Sequence, residues 1–107
     1  MTFQELDACI AVSGRRSIAS ALVAFILDAL DEGQDGVDLD VFQSHTRFIR
    51  NNVTTVASYL QLHGIIHIQY YRDGAAERQY ESVNNYGRWA KQHYQLSASV
   101  KELYRRN

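Results

Sequence analysis

The chain has 107 residues, 46% of them hydrophobic and 21% charged, and a formal net charge of −1. That is enough chain for one domain with a buried core, too apolar for intrinsic disorder, and too nearly neutral for a general polyanion binder. The lone cysteine, Cys9, excludes an internal disulfide framework and fits a reducing cytoplasm, and no apolar run reaches membrane-spanning length.

In chain order, Thr2-x-x-Glu5 is a capping-box pattern opening a short helix with Phe3, Leu6 and Ile10 on one side, closed by Ser13-Gly14. A longer helix is predicted from Arg16 to Glu32. Ile18, Ala21, Leu22, Phe25, Ile26, Ala29 and Leu30 give it the wide apolar face of a central core helix. A glycine-bearing loop, 33–36, leads to a candidate short strand at Val37-Asp38-Leu39. The next helix runs from Val41 to about Phe48, with Asp38 and Asp40 as expected caps. Residues 47–51 form a turn, and Asn51 is the expected N-cap of a helix over Asn52–His63 that Gly64 ends. Alternation of Ile66, Ile68 and Tyr70 with His67, Gln69 and Tyr71 predicts a half-buried strand. Asp73-Gly74 supplies the bend, and the strand is expected to return over Arg78–Val83.

The helix over 52–63 carries the main functional signal. Val53, Val56, Ala57 and Leu60 make one apolar face, while Asn52, Thr54, Thr55, Ser58 and Gln61 lie opposite. A solvated face usually carries Lys and Glu. This one offers short, uncharged groups that both donate and accept hydrogen bonds.

This order, with the spine Val53, Val56, Ala57 and Leu60, the Gly64-Ile65-Ile66 exit and the hairpin after it, resembles the winged helix-turn-helix family over roughly residues 16–83. The resemblance implies an α+β, mostly α fold. Residues 1–83 would form the winged domain, with an N-terminal helix in 1–15 and a wing hairpin over 65–83. It also implies that 37–39 pairs with the wing and that the 52–63 helix enters a major groove of double-stranded DNA. Asn52, Thr54, Thr55, Ser58 and Gln61 are then the expected base contacts. Arg47, Arg50, Arg72 and Arg78 are the expected phosphate contacts. The alternatives are that Arg47 or Arg50 pairs with Asp38 or Asp40, and that Arg72 and Arg78 join Asp73 and Glu77 in a solvated ion-pair cluster.

Charge distribution agrees with an anionic partner on one side. Residues 1–42 hold two basic residues against eight acidic, whereas 43–107 hold nine against four. The segment 84–107 is expected to be a helical extension. Trp89 and Tyr94 form one stripe and Leu103 and Tyr104 another, either closing a homodimer on a pseudo-palindrome or packing on the domain's own core. No phosphate loop, nucleophile elbow or dinucleotide fingerprint is present, and Gly64 spoils the spacing of His63 and His67 as a metal pair. The expectation is therefore a cytoplasmic, non-enzymatic, cofactor-free transcriptional regulator that binds DNA sequence-specifically as a homodimer. The alternative is a winged-helix module that contacts only protein.

Overall fold

The computed structural model describes residues 1–74 and 77–105. Ala75 and Ala76, at the tip of the expected wing turn, and Arg106 and Asn107, at the end of the expected extension, lie outside the described residues. The fold is α+β: among the described residues there are five α-helices and a three-stranded antiparallel sheet, with about half the chain helical.

Helix α1 (Phe3–Ala11) starts where the capping pattern places it, with the Glu5 N–H donating to Thr2 Oγ1 at 3.1 Å. Its Leu6 and Ile10 pack into the core beside α2 (Arg16–Asp31). Helix α2 buries Ile18, Ala19, Leu22, Val23, Ile26 and Ala29, and so forms the spine of the molecule. A two-residue strand, β1 (Val37–Asp38), precedes α3 (Leu39–Ser44) and α4 (Arg50–Leu62).

Three expected side-chain caps are not made. Helix α4 begins two residues early, with the extended Ile49 as N-cap, so Asn51 sits inside the first turn. Neither Asp38 nor Asp40 caps α3 through its side chain, because both carboxylates are drawn off by cations and an imidazole described below. The C-terminus of α4 follows its glycine. Gly64 at φ 73° lets its own N–H reach Gln61 O and the Ile65 N–H reach Leu60 O, satisfying two end carbonyls and turning the chain into β2 (Ile66–Tyr71).

The strand that returns to β2 is β3 (Lys91–Leu96), not the expected Arg78–Val83. Six consecutive pairs, from Ile66↔Leu96 to Tyr71↔Lys91, fix the register. The 78–83 stretch contributes one isolated bridge, Tyr70↔Glu81. The reason lies in what each segment can bury. Within 91–96, Tyr94 and Leu96 alternate with polar residues and both vanish into the core. Residues 78–83 hold no such apolar pair on one parity.

The segment expected as a helical appendage therefore supplies the central strand of the sheet, in the order β1-β3-β2. Strand β1 pairs with β3 through Val37↔Tyr94 and Asp38↔His93. Gly36, just before it, lies so close that a Cβ would sit 2.3 Å from the Tyr94 carbonyl oxygen. Among the described residues of that segment α5 (Ala98–Arg105) is the one α-helix, and its Val100 and Leu103 join the same hydrophobic cluster as Leu6 and Leu22.

The sheet is covered by helices on one face, and in part on the other, where His67 stays exposed. Ile66, Ile68, Tyr94 and Leu96 meet the helices. On the opposite parity, Tyr71 and His93 are only 2% and 4% exposed. Residues of the long 72–90 connection cover them. The Arg78 guanidinium lies 4.2 Å from the Tyr71 ring centroid, and Tyr80 packs edge-on to Tyr71 at 5.7 Å and against His93 at 4.9 Å. This strap forms a second, smaller cluster outside the main core.

Candidate nucleic-acid interface

The inner face of α4 is fixed by burial. Val53, Val56, Ala57 and Leu60 are all essentially inaccessible, each large aliphatic side chain contributing about 1.5–3 kcal/mol by leaving water. That fixes which residues face out. Asn51, Thr55, Ser58 and Leu62, at i, i+4, i+7 and i+11, form one exposed line along the helix, flanked by the half-buried Asn52 and Thr54. The Thr54 and Thr55 hydroxyls both donate to the Asn51 carbonyl, at 3.1 and 2.8 Å. Their lone pairs therefore point outward as acceptors.

Gln61 is exposed as expected, but its side-chain oxygen accepts the Ile68 N–H at 2.8 Å and ties α4 to β2, which leaves only its amide NH2 to offer. Asn51, not in the expected set, joins the exposed line. The hydrophobic Ile49 and Leu62, 66% and 82% exposed, stand at its two ends.

The four expected phosphate contacts divide into two pairs. Arg47 and Arg72 are exposed, with no ion pair among the described residues. Arg50 is held by Asp40 Oδ1 at 2.9 Å, with Gln43 beside it. Arg78 is held by Asp38 Oδ2 at 2.9 Å, with its side chain still partly exposed. These two pairings match the bland alternatives in kind, although Arg78 chooses Asp38 and not its neighbours in the loop.

Lys91 is a basic residue that sequence patterning did not single out. Its ammonium bridges Asp40 at 3.1 Å and Asp73 at 2.8 Å. Asp40 thus joins the start of α4 to the start of β3. The Arg50 hydrogen bond, helped by Lys91, outweighs burial and holds the Asp40 carboxyl below its ordinary range. Asp73 and Asp40 in turn push the Lys91 ammonium upward. Between Asp40 and Asp73 the chain has no acidic residue at all. The surface of α3, α4 and β2 is consequently free of carboxylates except at this one edge.

A second polar group lies beneath the strap. His93 Nδ1 is 2.7 Å from Asp38 Oδ1, and Nε2 comes within 3.3 Å of Asp35 without making a hydrogen bond. Burial would raise the Asp38 carboxyl, but the hydrogen bonds from His93 and Arg78 outweigh it and leave it below the ordinary value. Burial is also the chief cause that pushes the Tyr71 hydroxyl up to about 12.

No family model, curated protein or solved structure matches the chain.

The residues expected to pair two copies are scattered. Tyr94 and Leu103 are buried in the chain's own core and present nothing to a partner. Tyr104 is half-buried and meets Phe3 edge-on at 5.2 Å. Trp89 is 64% exposed, but it precedes β3, whereas α5 follows it, so about 20 Å of strand separates the two stripes. They form no single surface. A period-two reading of Gln92-His93-Tyr94-Gln95-Leu96 was the signal available in the sequence for this strand.

Proposed function

We propose that the chain is a winged helix-turn-helix domain that binds double-stranded DNA sequence-specifically, with α4 in the major groove. The observation that carries this reading is the exposed line Asn51, Thr55 and Ser58: uncharged, hydrogen-bonding, backed by a rigid apolar face and set in a surface without carboxylates between Asp40 and Asp73. The layout supports it. The helices α2, α3 and α4, with β1 between the first two and β2 and β3 after the last, follow the order of that fold, and β1 pairs with the returning strand as the fold requires. The wing is then the whole 72–90 connection, much longer than the expected turn.

No side chain caps the start of α4, whose dipole favours a phosphate there, and the exposed Arg47 strengthens the attraction. Thr55 and Ser58 suit the exocyclic amino groups of adenine or cytosine, because an outward hydroxyl oxygen accepts from them. Sequence selection from a random duplex pool tests the reading. The parent chain should enrich a defined site. Thr55→Ala should stay folded and lose about 1–3 kcal/mol of discrimination at one position of it. A parent chain that enriches no sequence would refute direct readout by α4.

A second reading has its own observation. Ile49 and Leu62 leave two large aliphatic side chains in water at the ends of the same helix, which suits a protein partner. Robust capture of a folded protein partner that Leu62→Glu abolishes, with no duplex binding by the parent, would favour it.

A further inference from the structure

Trp89 is the only tryptophan in the chain and about two-thirds of it lies in water. An indole of that size is normally covered, and where it is not, it marks a contact surface. It does not sit on a loose loop. The Tyr86 N–H donates to Asn84 Oδ1 at 3.0 Å, and the Asn84 amide donates back to Gly87 O at 3.3 Å. The Trp89 and Ala90 N–H groups close the 3-10 turn Gly87–Trp89 onto Tyr86 O and Gly87 O, both at 3.2 Å. The ring is thus presented on a turn already ordered by four hydrogen bonds.

Its surroundings select the partner. The Arg88 guanidinium lies 5.4 Å over the indole ring, a cation held against an aromatic face. No acidic residue stands between Ser82 and Lys101 in the chain and Arg88 brings a cation to the ring, while Lys91 is already held by Asp40 and Asp73 and the Glu81 carboxylate accepts from the Asn85 amide at 3.2 Å. Two residues after Trp89, Lys91 is tied through Asp40 to Arg50 at the mouth of α4. An exposed aromatic beside an arginine, linked by one carboxylate to the helix proposed to read bases, suits a polyanion with stacked rings.

We infer that Trp89 is an aromatic wedge that the far arm of the wing lays against a base step of the same duplex, while Arg88 holds the adjoining phosphate. This inference rests on the DNA reading above and moves the wing's main contact from Arg72 and Arg78 at its near arm to Arg88 and Trp89. A wedge partly unstacks the step it meets. The duplex it takes best therefore carries a flexible pyrimidine–purine step at that position.

The single tryptophan makes the residue its own reporter. Labelled TA-rich and GC-rich duplexes are titrated at low salt, with polarisation reading binding and tryptophan emission and acrylamide quenching reading Trp89. The expected result is emission that falls, and acrylamide access that shrinks, in step with polarisation, with the TA-rich duplex bound more tightly. Trp89→Ala should keep the parent circular dichroism and bind about tenfold more weakly, and Trp89→Phe should recover most of the loss. Rising polarisation with emission and acrylamide access unchanged overturns the wedge and leaves the α4 reading intact. Equal affinity for the two duplexes overturns the unstacking. No binding to any duplex overturns the wedge together with the reading it rests on.

Discussion

The two faces of the sheet are buried by different physics. The helix-facing side holds Ile66, Ile68, Tyr94 and Leu96 in a continuous apolar cluster that reaches from Leu6 to Leu103. The strap-facing side holds Tyr71, His93 and Asp38 under Arg78 and Tyr80, a patch of rings and charges with only one thickness of chain above it. The first face depends on area removed from water and is indifferent to pH. The second depends on ionised partners, and the exposed members of its ion pairs contribute little each. Stability should therefore reside on one side of β3 and condition-dependence on the other.

Removing the inner face gives the largest effect. A chain ending at Val83 loses β3 and α5, and with them Tyr94, Leu96, Val100 and Leu103 from the core. It should show no cooperative thermal transition by circular dichroism. A truncated chain that melts like the parent would mean that 84–105 is an appendage after all.

Gly36 lies at the junction of the two faces. Gly36→Ala would place a Cβ 2.3 Å from the Tyr94 carbonyl oxygen and 2.8 Å from His93 Nε2. Backbone must move to admit it, at a cost on the order of 1–3 kcal/mol in urea denaturation. A neutral result would show that β1 is not held against β3 as described.

The outer face should yield less. Tyr80→Ala removes two ring contacts and should cost about 1 kcal/mol while leaving the main core packed. Acid should act on the same region. Asp38 and Asp40 both have carboxyls held below the ordinary 3.8, so each contributes stability that is complete above about pH 4 and is lost as pH falls through the folded-state values. Urea midpoints measured from neutral pH to about pH 3 should fall in the parent and fall less in Asp38→Asn. Parallel curves for the two proteins would mean that the strap pairs contribute nothing.

This contrast also marks how much of the molecule was legible in its sequence. The apolar periodicity of α2 and α4, the stop at Gly64 and the alternation of β2 are local signals, and each element lies within two residues of its expected bounds. The return strand was not legible in that way. Residues 72–90 separate β2 from its partner, and the Tyr86, Trp89 and Tyr94 spacing mimics a helical stripe that the structure divides between a turn and a strand. The strap was hidden for the same reason. Nothing local couples Arg78 to Asp38 or Lys91 to Asp40, forty and fifty-one residues apart, because those pairs exist only once the sheet has formed. The candidate site was half legible. The helix face could be read from period, but Gln61 turns back to Ile68 and Arg50 to Asp40, choices that depend on neighbours in space.

The surface carried by α4 is proposed to meet the phosphate-lined groove of a duplex. A polarisation titration of the parent and of Arg47→Ala, repeated across salt concentrations on one labelled duplex, tests it most directly. The parent should bind at low salt and weaken linearly in log Kd against log salt, and the variant should bind more weakly with a slope shallower by about 0.9 for the one phosphate contact removed. Absence of binding at low salt, or an affinity that salt does not change, would contradict the account.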